Sequence, residues 1–103
     1  MDRGGIKKDF EYAMLTDEIY KTWAGMTSRE YKNSKGLTKE SLRDNMSDIE
    51  IILTDLGEVS TRDIAIKENP KGLSENIKIA RRGGNISKIT KELYEKEISK
   101  KLE

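Results

Sequence analysis

The chain has 103 residues, which fits one small domain rather than two. It contains neither cysteine nor histidine, so disulfides, thiolate zinc sites and histidine-based proton transfer are excluded. Charged residues make up 38% of the chain but nearly cancel to a formal net charge of +1, and we expect a folded domain with a thin core. No apolar run approaches the roughly 20 residues that cross a bilayer, so we expect a soluble, cytoplasmic protein without a membrane segment.

The first predicted helix covers residues 16–24. Ile19, Tyr20 and Trp23 are spaced so that they share one helical face, and Gly25 ends the helix. We expect Trp23 to pack in the core. The alternative is an exposed anchor for a partner, because tryptophan and tyrosine dominate the hot spots of protein interfaces.

The polar segment Ser28–Met46 carries a series of cap and turn signals. Thr27 lies three residues before Glu30, which is the spacing of a capping box, so a second helix is predicted to begin near residue 28. Turn-forming residues at 33–36 interrupt it. Thr38 is then predicted to cap a further short helix.

A longer helix is predicted after Ser47, which forms a second capping box with Glu50 and leads to residue 64 or 65. Gly57 inside this helix indicates a close helix approach or a local bend. The apolar stripe of this helix is expected to form the core. It consists of Ile49, Ile52, Leu53, Leu56 and Val59.

Residues 69–72, Asn-Pro-Lys-Gly, predict a firm helix boundary. A shorter helix is predicted from about Leu73 to Arg82, closed by the Gly83-Gly84 pair. Asn85 is then predicted to cap a last helix. The inward-facing residues of that last helix are expected to be Ile86, Ile89 and Leu93.

These elements predict an all-α fold, a compact bundle of four to six short helices. We expect a single helical domain over residues 12–99. Residues 1–11 are expected to form a flexible leader and residues 100–103 a frayed tail.

A basic segment with one aromatic residue is the candidate interaction surface, together with two arginines from the C-terminal half. The basic side chains could follow a phosphate backbone while the tyrosine stacks on bases. The alternatives are a solvated connection between helices and a surface for an acidic protein. These candidate residues are Arg29, Tyr31, Lys32, Lys35, Lys39, Arg43, Arg81 and Arg82.

The residues Arg81 to Asn85 offer a second candidate, an anion site. Free backbone amides at the start of the last predicted helix would lie beside two guanidinium groups. The alternative is an ordinary turn between two packed helices, which also requires glycines.

Acidic residues follow one another through the middle of the chain, and a magnesium site for phosphoryl chemistry is one interpretation. A solvated acidic face is the other, because no nucleophile or base accompanies them. We therefore expect no enzyme, no cofactor, no metal and no small-molecule substrate. The acidic residues are Asp44, Asp48, Asp55, Glu58 and Asp63.

Four stretches of the chain resemble, in order and spacing, the C-terminal part of bacterial DNA-damage-inducible protein D and the related BRO-type phage antirepressors. The stretches are residues 18–40, 42–58, 60–65 and 69–86, which include EIYKTWAGMTSREYKNSKGLTKE and NPKGLSENIKIARRGGNI. The resemblance implies a helical domain that in full-length relatives follows an N-terminal BRO-type domain credited with nucleic-acid binding. This chain lacks that domain, so we expect a fragment or a natural short form.

Taken with the composition, the resemblance favours a regulatory or protein-interaction module of a bacterial DNA-damage-inducible or antirepressor-like protein. Its expected partner is another protein, with a second copy of the chain as one form. The runner-up is a nonspecific nucleic-acid-binding module that uses the basic 29–43 segment with Arg81 and Arg82.

Overall fold

The computed structural model describes residues 9–99, with side chains from residue 11 onward. Within that range the protein forms four α-helices and no strand, which confirms the predicted all-α bundle. Residues 9–11 of the predicted leader belong to the first helix, whereas residues 1–8 of the leader and the predicted tail 100–103 lie outside the described residues. The helices are α1 (Asp9–Ala24), α2 (Ser28–Ser34), α3 (Asp48–Glu68) and α4 (Gly72–Ile98), with a 3₁₀ turn at Arg43–Asn45 between α2 and α3.

The helices form two layers. Helix α1 lies parallel to α4, since Glu18 pairs with Arg81 at 2.7 Å and Thr22 lies against Gly84. Helix α3 runs antiparallel to α4, and the Ser87 hydroxyl donates to the Leu53 carbonyl at 2.6 Å. The described part of the molecule measures 40 × 32 × 18 Å. Its shortest dimension is about two helix diameters.

Both predicted capping boxes are confirmed. The Thr27 hydroxyl accepts the Glu30 amide while the Glu30 carboxylate accepts the Thr27 amide, and Ser47 and Glu50 do the same at α3. The predicted boundary at residues 69–72 is also confirmed, because Asn69 ends α3 with a φ of 51° and α4 begins at Gly72. Helix α1 begins at Asp9, seven residues before the predicted start at residue 16.

The helix predicted after Thr38 is wrong. The Thr38 amide and hydroxyl both donate to the carboxylate of Glu40, so this segment is tied by local side-chain bonds. The only helical geometry between α2 and α3 is the three-residue 3₁₀ turn Arg43–Asn45.

The break predicted at Gly83-Gly84 is also wrong, because α4 continues through both glycines to Ile98. The glycines serve close packing instead of a turn. A Cβ atom on Gly83 would lie 2.7 Å from the backbone nitrogen of Thr61 in α3, and one on Gly84 would lie 3.0 Å from the carbonyl oxygen of Ile19 in α1. Helix α4 therefore touches α3 through one glycine and α1 through the next.

Three aromatic side chains form a cluster in the core. The rings of Tyr20, Trp23 and Tyr31 lie 5.8–6.0 Å apart between centroids, and all three side chains are buried. Rings at these distances attract one another beyond the area that they bury. The prediction that Trp23 belongs to the core is confirmed.

The apolar stripes predicted for the core from α3 and from the C-terminal half of α4 are largely wrong. Only Leu53 of the α3 stripe is fully buried, whereas Ile52 and Val59 are exposed and Ile49 and Leu56 are half-buried. The expected inward residues of the last helix, Ile86, Ile89 and Leu93, are all exposed. The residues that α3 and α4 do bury are mostly small or polar. They are Glu50, Leu53, Thr54, Gly57, Thr61 and Ala65 on α3, and Asn76, Ile79, Ala80, Gly83, Gly84 and Ser87 on α4.

Candidate functional site

The candidate functional site is an uncovered apolar face on the α3–α4 pair. Ile52, Ile89 and Leu93 are 56%, 57% and 59% exposed, and Ile86 is 40% exposed. Ile49 and Leu56 are half-buried beside them. We call these six side chains the apolar face.

Side-chain directions on α4 show that its part of the apolar face points away from α1. Gly84 marks the direction of α1, because its nearest neighbours are atoms of Ile19 and Thr22. Ile86, Ile89 and Leu93 lie roughly 140–200° around the helix from Gly84, at about 100° per residue.

The same holds on α3. Thr54 marks the direction of α1, since it lies beside the hydroxyl of Tyr20. Ile49, Ile52 and Leu56 lie roughly 140–200° around the helix from Thr54. Both helices therefore turn their large apolar residues toward the side that α1 and α2 leave uncovered.

The antiparallel register places the two halves of the apolar face at the same heights along the helices. Ser87 lies beside Leu53, and Gly83 lies beside Thr61, which fixes the heights of the two helices relative to each other. At about 1.5 Å of rise per residue, this register places the residues of the apolar face at three matching heights, which we call its layers. The residues that share a height are Ile49 with Leu93, Ile52 with Ile89, and Leu56 with Ile86.

Charges of opposite sign flank the apolar face. Helix α3 carries six acidic and two basic side chains, whereas α4 carries six basic and four acidic ones. Exposed Asp48 and Asp63 lie on the α3 side, and exposed Lys78 and Lys96 lie on the α4 side. The face thus has an acidic edge and a basic edge.

Tyr31, one of the sequence-predicted site residues, lies in the core and has no exposed ring to offer a base. Its hydroxyl donates to the Glu50 carboxylate, and burial together with that carboxylate raises the pKa of Tyr31. Burial alone would raise the pKa of Glu50. Hydrogen bonds from Tyr31, the Ser47 amide and Lys35 outweigh that effect and hold the pKa of Glu50 below its ordinary value.

Four of the predicted basic residues are held by carboxylates of the same chain. Lys35 pairs with buried Glu50 at 3.0 Å and lies 5.3 Å from the centroid of the Tyr31 ring. The other three pairs are exposed. They join Arg43 to Asp55 at 2.8 Å, Arg81 to Glu18 at 2.7 Å and Arg82 to Glu68 at 2.7 Å.

Arg29, Lys32 and Lys39 are the remaining basic candidates. None of the three has a carboxylate within 4.0 Å among the described side chains. They lie around α2 and the loop after it, while Arg81 and Arg82 lie on α4. The structure therefore divides the predicted basic surface between two regions.

The anion site predicted at residues 81–85 loses its geometric basis. It depended on free amides at a helix start, but these residues lie in the middle of α4, where helical bonds use the amides. Over residues 9–99 no three potential metal-ligating side chains cluster, and no helix is long and apolar enough to span a membrane.

The apolar face was present in the sequence as a signal but was assigned to the wrong side. Large apolar residues at helical spacing were interpreted as the core-facing stripe. The signal that could have found the buried side is the series of small residues at spacings of three and four, Gly57 to Thr61 on α3 and Ala80, Gly83, Gly84 and Ser87 on α4.

Comparisons with known protein families, with curated proteins and with solved structures find no match to this chain.

Proposed function

We propose that this protein is a non-enzymatic, regulatory protein-interaction module that binds its partner through the apolar face. The observation that carries the proposal is the exposure of Ile52, Ile86, Ile89 and Leu93 on one side of a two-layer molecule. Contiguous apolar patches on soluble proteins mark sites of association.

The arrangement of the face supports a protein partner in particular. Its six residues stand on two helices whose relative position is fixed by close packing at Gly83 and by the bond from Ser87 to Leu53. Partners recognise such faces by docking helices whose apolar residues recur at helical spacing. The charged edges then set the orientation of the partner.

The resemblance to DNA-damage-inducible protein D and to BRO-type antirepressors gives this proposal its biological setting. We place the module in a bacterial regulatory protein of one of these kinds, acting in the cytoplasm. The setting rests on the four matching stretches between residues 18 and 86.

Nonspecific nucleic-acid binding has less support. Lys35, Arg43, Arg81 and Arg82 are engaged with carboxylates, and a cation that already has a partner releases fewer counterions on a phosphate backbone.

Site-specific photo-crosslinking in cells tests the proposed function. A photoreactive amino acid replaces Ile89 in the apolar face, and in a matched control it replaces Met14, an exposed apolar residue of α1. We expect a crosslink to a polypeptide from position 89 and none from position 14. A chain that gives no polypeptide adduct from position 89, or gives nucleic acid instead, would contradict the proposal.

A further inference from the structure

We infer that the occupant of the apolar face is a second copy of this chain. This inference rests on the proposed function and names its partner. In the dimer, α3 of each protomer lies across α4 of the other, and the two apolar faces close into a four-helix core about a two-fold axis parallel to the helices.

The side of the α3–α4 pair that carries the apolar face is large enough for a dimer. Helix α3 has 21 residues, which makes it about 31 Å long, and residues 49–56 of the apolar face take up about 12 Å of that length. Two packed helices are about 20 Å wide, so the whole side of the pair covers roughly 600 Å² before the relief of its side chains is counted. Stable interfaces bury about 800 Å² on each partner, which the whole side of the pair approaches.

The two-fold axis makes the face self-complementary in shape. Because the operation keeps each residue at its own height along the helices, Ile52 meets Ile89 of the other protomer. Ile49 then meets Leu93, and Leu56 meets Ile86. Each layer of the monomer thereby becomes a layer of four side chains, as in the core of a four-helix bundle.

Two face-to-face arrangements are possible, with α3 across α4 or with α3 across α3 of the other protomer. Charge complementarity favours α3 across α4. With α3 across α4, Asp48 comes to the height of Lys96 of the other protomer, and Asp63 comes to the height of Lys78. These four side chains are exposed, and of the four only Asp63 forms an ion pair with another described side chain of the monomer, with Arg62 at 3.4 Å. Placing α3 across α3 would instead oppose two acidic edges, which is unfavourable.

Disulfide trapping tests the arrangement directly, because the chain has no cysteine of its own. The full chain is made as two single variants, Ile52→Cys and Ile89→Cys, which carry different tags and are mixed and oxidised. We expect the disulfide between the two different variants to dominate. Dominance of the disulfide between two Ile52→Cys chains, or no disulfide at all, would overturn the inferred arrangement.

Sedimentation equilibrium provides a second, independent readout. We expect the unmodified chain to dimerise and Ile89→Asp to weaken the dimer by about tenfold or more, since a buried charge replaces an apolar contact. Met14→Asp, on the outer side of α1, leaves the dimer unchanged. Circular dichroism checks that both variants remain helical.

Charge reversal then tests orientation. Asp48→Lys should weaken the dimer several-fold, and combining it with Lys96→Asp should restore it. A double variant no tighter than the single variant would overturn the proposed pairing.

The outcomes separate the two proposals. A purified chain that stays monomeric, while position 89 crosslinks a different polypeptide in cells, overturns self-association and leaves the interaction module standing. A monomer that also gives no polypeptide crosslink overturns both.

Discussion

The two sides of the α3–α4 pair contrast in composition. The side that faces α1 is buried, yet most of the residues that line it are small or polar, namely Thr54, Gly57, Thr61 and Ser87, together with the large residue Leu53. The opposite side carries isoleucines and leucines that the described chain leaves exposed. Small residues let helix backbones approach closely, and large ones provide area for the contact with a partner that we propose.

This contrast shows how a thin core can hold a fold together. Close contact at Gly83 and Gly84 lets dispersion between backbones contribute where apolar side chains are few. The large apolar residues are then free for an intermolecular role.

Two neighbouring residues of α3, Leu53 and Ile52, give the largest expected difference between the two sides of the α3–α4 pair. Leu53 has no exposed surface, so Leu53→Ala should lower the free energy of unfolding by about 2–5 kcal/mol. Ile52→Ala, on the uncovered side, should change it by less than about 0.5 kcal/mol in dilute protein. Urea unfolding at low concentration measures both. Equal losses from the two variants would mean that the uncovered side is packed within the monomer.

The next largest effect on the free energy of unfolding is expected where Gly83 of α4 contacts α3. Gly83→Ala should lower the free energy of unfolding by about 2–3 kcal/mol, despite the better helix propensity of alanine, because its Cβ would meet the Thr61 backbone. Thermal unfolding followed by circular dichroism gives the value. Asn85→Ala, at a nearby exposed position of α4, is the control and should be close to neutral. A stabilising effect of Gly83→Ala would show that α3 and α4 are farther apart at Gly83 than the structure places them.

Glu50, with its partners Tyr31 and Lys35, forms a polar cluster on the buried side of α3. Its contribution to the free energy of unfolding should depend on pH. Glu50→Ala removes the acceptor of Tyr31 and Lys35 and should lower the free energy of unfolding by roughly 1–2 kcal/mol at neutral pH. Because the folded pKa of Glu50 is lowered, its contribution is complete above the unfolded value near about 4.3 and is lost as pH falls through the folded value. The deficit of the variant should therefore shrink in acid. Asp44→Ala, at an exposed position, is the control and should have only a small effect at neutral pH. A deficit of Glu50→Ala that grows in acid would contradict the assignment.

Exposed ion pairs should give the smallest effect. Arg43→Ala breaks its pair with Asp55, and Arg82→Ala breaks its pair with Glu68, and each should cost less than about 1 kcal/mol. Unfolding in low and high salt measures the loss, which should diminish as salt screens the pairs. If either variant lost more free energy of unfolding than Gly83→Ala, and lost it independently of salt, the prediction that exposed ion pairs contribute least would be wrong.

The sequence predicted the ends of the elements better than their faces. The capping boxes at Thr27 and Ser47 are local, since each needs only four consecutive residues, and the structure confirms both. Which side of α3 is buried depends on where α1 docks, and periodicity alone does not contain that information.

The same limit explains the miss at Gly83-Gly84. A glycine pair is compatible with a turn and with a helix crossing, and only the positions of Thr61 and Ile19 select the crossing. For the candidate site, the charges were readable from the sequence. Their pairing, such as Lys35 with Glu50 across 15 residues, was not.

The central claim is that the apolar face becomes covered by a second copy of the chain. Methyl NMR with a soluble paramagnetic agent tests it most directly, by comparing the methyl groups of Ile52 and Ile89 with that of Met14 over a range of protein concentrations. The account predicts that Ile52 and Ile89 are protected at high concentration and become exposed on dilution, while Met14 stays exposed throughout. Methyl groups of Ile52 and Ile89 that remain as accessible as that of Met14 at every concentration would contradict it.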